Sequence, residues 1–527
     1  MKAITVPQWV IGFRPNLEQQ IKMFSTKNLM NNSLSCTIMV RLTTLKLSPM
    51  KCDLLLKNGV VIDGSGNPRY RADVAINKGL ISAVGPNLQV EASTVVDVGG
   101  LTISPGFIDV HTHDDRLVLA DPSMQPKVSQ GATTVITGNC GISLAPLGRT
   151  NPVPPLNLVA DESEQRFGSF KEYFEALEKT PSAINVASLA GHTTLRTVTM
   201  QDLDRPANDA EIAKMQQLVQ EALDAGVVGV STGLYYIPAQ AATAQEIQAV
   251  FEPLRGTNAL IASHIRNEAE HVLEAMTEAM SIANALGVRQ VISHHKVNGR
   301  ANHGRSTETL ALIDNALANS DVCMDCYPYI ASSTVLRQDA VEQAARTLIA
   351  WSKAKPETAG RYVDELMKEQ SLELTEFLAT LQPAGAIYFS MDEGDVERIM
   401  AHPETMIGSD GLPHDTFPHP RLWGAFPRVL GHYSRDRKIF SLETAIYKMT
   451  GMPATKFGLK DRGLIAPGYA ADIVVFDPQE VRDLATFADP MRPAAGIQRV
   501  YVNGVASWRN GASTGARAGQ VLRRAAA

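Results

Sequence analysis

The chain has 527 residues, 44% hydrophobic and 20% charged, the profile of an ordinary soluble globular protein long enough for a large core and more than one domain. A net charge of −6 and a pI near 6.1 leave no basic surplus, which argues against nucleic acid and anionic membranes as partners. No apolar run reaches transmembrane length, and five cysteines in so long a chain make no disulfide framework, so a reducing cytoplasm fits.

Residues 1–49 show no clear periodicity and lack the apolar core and small-residue cleavage site of a signal peptide. Three readings stand: a disordered extension, a weak targeting segment, or sequence upstream of a true start near Met39 or Met50. The last is preferred. From Cys52 the pattern sharpens. "CDLLLKNGVVIDGSG", "ADVAINKGLISAVG" and "STVVDVGGLTISPG" are short apolar runs broken by Asn-Gly, Lys-Gly and Gly-Gly, the punctuation of β-hairpins. The far end repeats it in "YAADIVVFDP" and "IQRVYVNGVASW". Segments 50–104 and 465–524 therefore predict one small β-sandwich domain built from both chain ends.

Between them, residues 105–464 alternate. Apolar strands recur at 106–110, 133–138, 184–191, 226–233, 259–265, 289–295, 321–327 and 405–410. Helical segments separate several of them. In "NDAEIAKMQQLVQEALDAG" Asn208 and Glu211 form a capping box and Gly226 ends the helix; Thr243 and Glu246 repeat the box in "TAQE". Eight buried strands alternating with helices predict an α/β fold, a (β/α)8 TIM-type barrel, with a doubly wound open sheet as the competitor. The gap before the eighth strand is too long for one crossover helix, so about 331–395 reads as an inserted, mostly helical subdomain or lid.

Polar residues follow these strands. "SPGFIDVHTHDD" (104–115) places His111 and His113 on one strand face, with Asp109 on the same side. Cys140 follows the second strand, His264 the fifth, His294 and His295 the sixth, and Asp410 the eighth. In a barrel those ends converge on one face, and imidazole, thiolate and carboxylate together make a zinc ligand set. Each alone has a bland reading, a buried inert thiol for Cys140 or a turn aspartate for Asp410; five strand ends together favour a metal site. His294 and His295 point to opposite sides, and the residues alone do not choose between them. "GVSTG" (229–233) matches the nucleophile-elbow pattern at Ser231, but the helix that motif needs does not follow at once. "CMDC" (323–326) lies in an apolar strand with no second cysteine pair, against structural zinc. "KVNGRANHGR" (296–305) is a solvated loop or, with Arg421, an anion clamp.

The motifs "PGFIDVHTHDD", "TGNCGIS", "GHTTLR", "SHIRNE", "SHHK", "YPY" and "IGSDGLPHDTFPHPRLWG" resemble the N-acyl-D-amino-acid deacylases, the D-aminoacylase branch of the amidohydrolase superfamily, in order from about residue 52 to 524. The resemblance implies a zinc-dependent barrel with a β-sandwich and a lid. It implies His111, His113, Cys140, His264 and His294 as ligands of one or two zinc ions, Cys140 replacing the carboxylated lysine used elsewhere. It implies Asp410 as catalytic acid/base, and Lys296, Arg421, Tyr327 and Ser333 on the substrate carboxylate, with Tyr236 near the same pocket. The implied reaction hydrolyses a small-molecule N-acyl-D-amino acid to a carboxylate and a free D-amino acid. Three alternatives remain: a cyclic-amide hydrolase of the dihydroorotase or hydantoinase type, a serine hydrolase through Ser231, and a non-catalytic barrel scaffold.

Overall fold

Eight short apolar strands lie side by side, all parallel and in strict chain order. They are β1 (Phe107–Asp109), β2 (Ala132–Thr137), β3 (Asn185–Gly191), β4 (Gly229–Gly233), β5 (Leu260–His264), β6 (Arg289–Ile292), β7 (Val322–Cys326) and β8 (Thr405–Ile407). The computed structural model describes residues 50–148, 153–160, 166–370 and 372–525; the N-terminal extension lies outside them. Alternation along each strand separates two cores. Ile108, Ile136, Leu189, Val228, Leu260, Val291, Cys323 and Met406, one from each strand or its edge, fill the barrel interior. Their neighbours Val135, Ile261, Ile292 and Met324 face the larger core under the helices. This is the TIM-type barrel expected from the strand pattern.

No extended ladder joins β8 to β1. One bridge, Thr112 to Gly411, spans them, helped by the Asp410 amide donating to His111 O at 2.8 Å. Side chains do the rest. Asp109 Oδ1 accepts the Ser409 amide at 2.8 Å, and Asp109 Oδ2 accepts from the buried Lys127 ammonium at 2.8 Å. Lys127 Nζ also donates to Ser409 Oγ at 2.7 Å and stands 3.2 Å from Asp114. Asp109, which the strand pattern put on the side of His111, thus ties the seam.

The helix Asp209–Ala225 carries the expected capping box: Asn208 Oδ1 accepts from Glu211 N, and Glu211 Oε2 accepts from Asn208 N. Gly226 closes it at φ 102°. The second expected box forms by half. Thr243 accepts from Glu246 N at 3.1 Å, but the Glu246 carboxylate turns inward to Arg196 and the Ala207 amide. A buried guanidinium outcompetes the backbone N–H for that carboxylate.

Strands from both ends form one nine-stranded sheet, joined where Thr102–Pro105 pairs antiparallel with Ile473–Phe476. Its main core unites Leu56, Val74 and Ile103 with Ile473 and Val475. Asn503-Gly504 makes the expected tight hairpin turn, both residues at positive φ. Asn58-Gly59 does not. It lies inside the single strand Met50–Val61 as a register shift, and a Cβ on Gly59 would come within 2.4 Å of Ile103. The insertion also differs from its mostly helical expectation. Ala331–Val335, Arg346–Ser352 and Ala384–Phe389 form an antiparallel sheet, against which the helices Val363–Gln370 and Leu374–Ala379 pack through Val363, Leu366, Phe377 and Leu378. Its first strand, "ASSTV", is too polar to announce itself by alternation.

The seam yields a test. Lys127→Met leaves Asp109 and Asp114 buried without their cation and is expected to cost about 3–5 kcal/mol of unfolding free energy. Denaturant titration reads it; a change as small as an ordinary surface substitution gives would mean the seam does not hold the barrel closed.

Candidate active site

Each candidate group leaves the C-terminal end of a barrel strand. His111 and His113 follow β1, Cys140 sits in the turn after β2, His264 ends β5, His294 follows β6 and Asp410 follows β8. Three of them adopt the left-handed backbone that side chains avoid: Cys140 at φ 53°, His294 at 36° and Asp410 at 49°. Such strain persists only where surroundings enforce it. For Cys140 the enforcement is visible. Ser231 Oγ donates to Gly138 O and accepts from Gly141 N at 2.9 Å, clasping the turn from both sides. Ser231 is therefore engaged in holding the cysteine turn, and no helix begins directly after it to form a nucleophile elbow.

The donor atoms fall into two groups that share one sulfur. His111, His113, Cys140 and Asp410 make the first; Cys140, His264 and His294 make the second. Cys140 Sγ lies 3.2 Å from His111 Nε2 and 3.3 Å from His294 Nε2. His294 Nε2 lies 2.9 Å from His264 Nδ1. Asp410 Oδ1 stands 3.3 Å from His113 Nε2 and 3.6 Å from His111 Nε2, while Oδ2 meets Arg421 at 2.9 Å. His295, the neighbour that the residues alone could not distinguish, turns away to Thr309 at 2.8 Å. Burial and the nearby Lys296 push His295 down to about 3, so it is neutral.

The electrostatics suit a cation. Burial raises the Cys140 thiol, but the His111 and His294 imidazoles outweigh it and hold the group well below its ordinary value, as a thiolate. Burial likewise opposes ionisation of Asp410, and Arg421 and His111 overcome it. Burial lowers His113, yet Asp410 and Cys140 raise it to about 9. A field that protonates imidazoles favours positive charge, and a metal ion bound to those nitrogens would displace the protons. Nitrogen donors around one thiolate, with a carboxylate beside them, fit zinc. In β4, no lysine is present to bridge two ions.

A cavity of about 110 Å³ opens above the group, lined by His113, Tyr236, His264, His294, Lys296, Ser333 and Asp410 among others. His111 and Cys140 lie beneath it. Arg421 and Tyr327 do not line it; they stand behind Asp410 and Lys296, the guanidinium 4.5 Å over the Tyr327 ring. Arg421 Nε, Tyr327 Oη and Ser333 Oγ are buried without hydrogen-bond partners, an arrangement that needs a ligand or water to complete it. Tyr236 Oη meets Thr334 Oγ1 of the insertion at 3.1 Å and its ring packs on His264.

Two carboxylates here lie outside the residues expected from sequence. Glu268 Oε1 accepts from Lys296 Nζ at 2.6 Å and lies 3.2 Å from His294 Nδ1. Burial opposes its charge, but Lys296 and His264 hold it well below the carboxylate range. Its signal is its place four residues after His264 in "SHIRNE". Asp325 is buried in β7, and its signal is a charge inside an apolar strand.

An amidohydrolase family model matches residues 94–507. The chain is 54% identical over 475 residues to the D-aminoacylase of Alcaligenes xylosoxydans xylosoxydans, covering 90% of this chain and 98% of that one. It is 51% identical over 482 residues to the N-acyl-D-aspartate deacylase of the same organism, covering 91% and 97%. The crystal structure of the N-acyl-D-glutamate deacylase of Bordetella bronchiseptica, complexed with zinc and a phosphonate mimic of the tetrahedral intermediate, matches with a TM-score of 0.86 at 43% identity, over 90% of this chain and 100% of that one.

The Ser231 clasp is open to test. Ser231→Ala leaves Gly138 O and Gly141 N buried and unpaired, with an expected stability cost of about 1–3 kcal/mol. Any hydrolytic activity should persist; its complete loss in a variant that still folds and holds zinc would restore the serine-nucleophile reading.

Proposed function

The chain belongs to the amidohydrolase family, and from that premise we propose that His111, His113, Cys140, His264 and His294 hold zinc while Asp410 moves the proton in hydrolysis of N-acyl-D-amino acids. The enzyme is a zinc-dependent deacylase of linear amides, releasing a carboxylate and a free D-amino acid. The observation that carries the assignment of residues is the single Cys140 sulfur common to both donor groups, with Asp410 at their edge.

The chemistry the metal supplies when bound is Lewis-acid polarisation of the amide carbonyl and acidification of the attacking water. Asp410 Oδ1 faces the donor groups, where it accepts the proton of that water, and Arg421 on Oδ2 keeps the carboxylate ionised for the task. Protonated Asp410 then delivers the proton to the departing nitrogen. Lys296 and Ser333, which line the cavity, receive the substrate carboxylate, with Arg421 and Tyr327 behind them as the rest of the clamp; the unpaired Arg421 Nε, Tyr327 Oη and Ser333 Oγ support this reading. Tyr236, braced by Thr334, walls the pocket beside His264.

The charge of the lining favours a neutral substrate side chain. Lys296 is engaged by Glu268, and Arg421 by Asp410. Arg337, stacked over Tyr235, is engaged by Asp339 at 2.8 Å. Among the described lining residues no further lysine or arginine remains, while Glu268 and Asp339 add negative charge. Apart from His113, His264, His294 and Asp410, the remainder of the wall is amide, hydroxyl and apolar, including Asn298, Gln343, Ser390 and Leu158. Cys52, Cys140, Cys323 and Cys326 are buried and unpaired, in keeping with a cytoplasmic enzyme. No helix among the described residues is long and apolar enough to cross a membrane.

Two measurements test this. With N-acetyl-D-methionine and its L enantiomer, only the D form should release methionine, and Asp410→Asn should lower kcat by about 10²–10⁴-fold with zinc retained. Undiminished turnover in that variant would remove Asp410 from the chemistry. In the second, kcat/KM for N-acetyl-D-methionine should exceed that for N-acetyl-D-glutamate and N-acetyl-D-aspartate by roughly 100-fold or more, the penalty of burying an unpaired carboxylate. Equal or better use of the acidic substrates would refute the charge argument.

A further inference from the structure

Asp325 is the one acidic side chain in β7, Val322–Cys326, and it is buried. Cys323 belongs to the interior cluster, so Asp325, two residues on, points into the barrel as well, directly beneath the donor groups. A carboxylate taken this far from water persists only with partners. Its Oδ1 accepts the His294 backbone N–H at 2.8 Å and stands 3.3 Å from His111 Nδ1. That ring nitrogen makes no hydrogen bond of good geometry among the described residues, which leaves it free to tighten onto Asp325 at ion-pair distance. The two histidines it touches come from different donor groups, and both present Nε2 to the Cys140 sulfur. Space for the contact comes from β8's end, where a Cβ on Gly408 would lie 2.5 Å from His111 Cβ and 3.3 Å from Asp325 Oδ1.

We propose that Asp325 is a positioning residue that sets the spacing of both donor groups about Cys140. By accepting Nδ1–H it fixes the His111 ring with Nε2 toward the sulfur. By accepting the His294 amide it holds that residue in its left-handed backbone, φ 36°. A ligating imidazole whose second nitrogen donates to a carboxylate is better oriented and more basic. One carboxylate oxygen does this for one half of the centre and sets the backbone of the other. The inference rests on the reading that these histidines hold zinc.

The test uses the full chain and zinc alone. Asp325→Asn keeps the shape and an acceptor for the His294 amide but removes the charge that holds His111. In this variant zinc affinity, measured by chelator competition, is expected to fall roughly 10- to 100-fold. The visible spectrum of the cobalt-substituted protein should change, while the circular dichroism of the metal-free protein does not. Native zinc affinity with a native cobalt spectrum would overturn the proposal. A native chain that binds no zinc would overturn the metal reading beneath it, which is a different failure. Should the asparagine variant not fold, nitrogen-15 histidine resonances of the native zinc-loaded chain decide: a protonated His111 Nδ1 supports the proposal and a bare one overturns it.

Discussion

A thiolate buried at the mouth of a barrel is the constraint on which the rest of the site depends. Cys140 is 1% exposed, and an isolated charge there would be expelled or neutralised. It stays ionised because imidazoles approach its sulfur from two non-adjacent strand ends, those of β1 and β6. Those imidazoles must themselves be aimed, which recruits charged groups beneath and beside them, Asp325 for His111 and the Glu268–Lys296 pair for His294. The carboxylates in turn require partners, and Glu268 takes Lys296. The polar network extends outward from one sulfur until every charge has a neighbour of opposite sign. Strained backbone at Cys140, His294 and Asp410 is the conformational cost of that convergence.

Barrel closure serves the same site. The first and last strands are three residues each, too short for a ladder that would fix their ends. The seam is carried by Lys127, Asp109 and Ser409, and Ser409 is the residue before Asp410. Asp410 and the His111–His113 pair are therefore held at fixed separation by buried side-chain bonds rather than by sheet. A site assembled from loop ends needs such rigid support to keep reacting groups in register.

Legibility from sequence followed the strength of the periodic signal. All eight barrel strands carry apolar runs strong enough to place. The ligand-type residues stand out at their ends because a polar group closing such a run is buried, and burial is tolerated only where a partner or ligand meets it. Asn503-Gly504 and Asn58-Gly59 are identical dipeptides with different outcomes, a hairpin and a bulge, since the choice depends on the strand each packs against. The insertion's sheet is hidden by its serine- and threonine-rich first strand. Glu246 leaves its expected cap for Arg196, a partner 50 residues away in the chain that no local pattern displays. Asp325 is masked by the cysteines around it, whose spacing in "CMDC" imitates a metal motif. The informative residue is the charged one between them. Cys323 and Cys326 are buried thiols, with Cys323 pushed up to about 12 by burial.

The charges around Cys140 also bear on what the centre binds. Around Cys140 stand the carboxyl groups of Asp410, Glu268 and Asp325 and the basic side chains of Lys296 and Arg421, while His295 is turned away. These groups carry more carboxylate and thiolate than ammonium and guanidinium, an excess of negative charge that a bound cation offsets. The two donor groups are also unequal. Lys296 Nζ stands 2.7 Å from His294 Nδ1 in one group, whereas the other includes Asp410, which Arg421 engages. Asp410 has one carboxylate oxygen committed to Arg421 and the other turned to the donor groups, so the same side chain meets a fixed cation on one side and the imidazoles of His111 and His113 on the other.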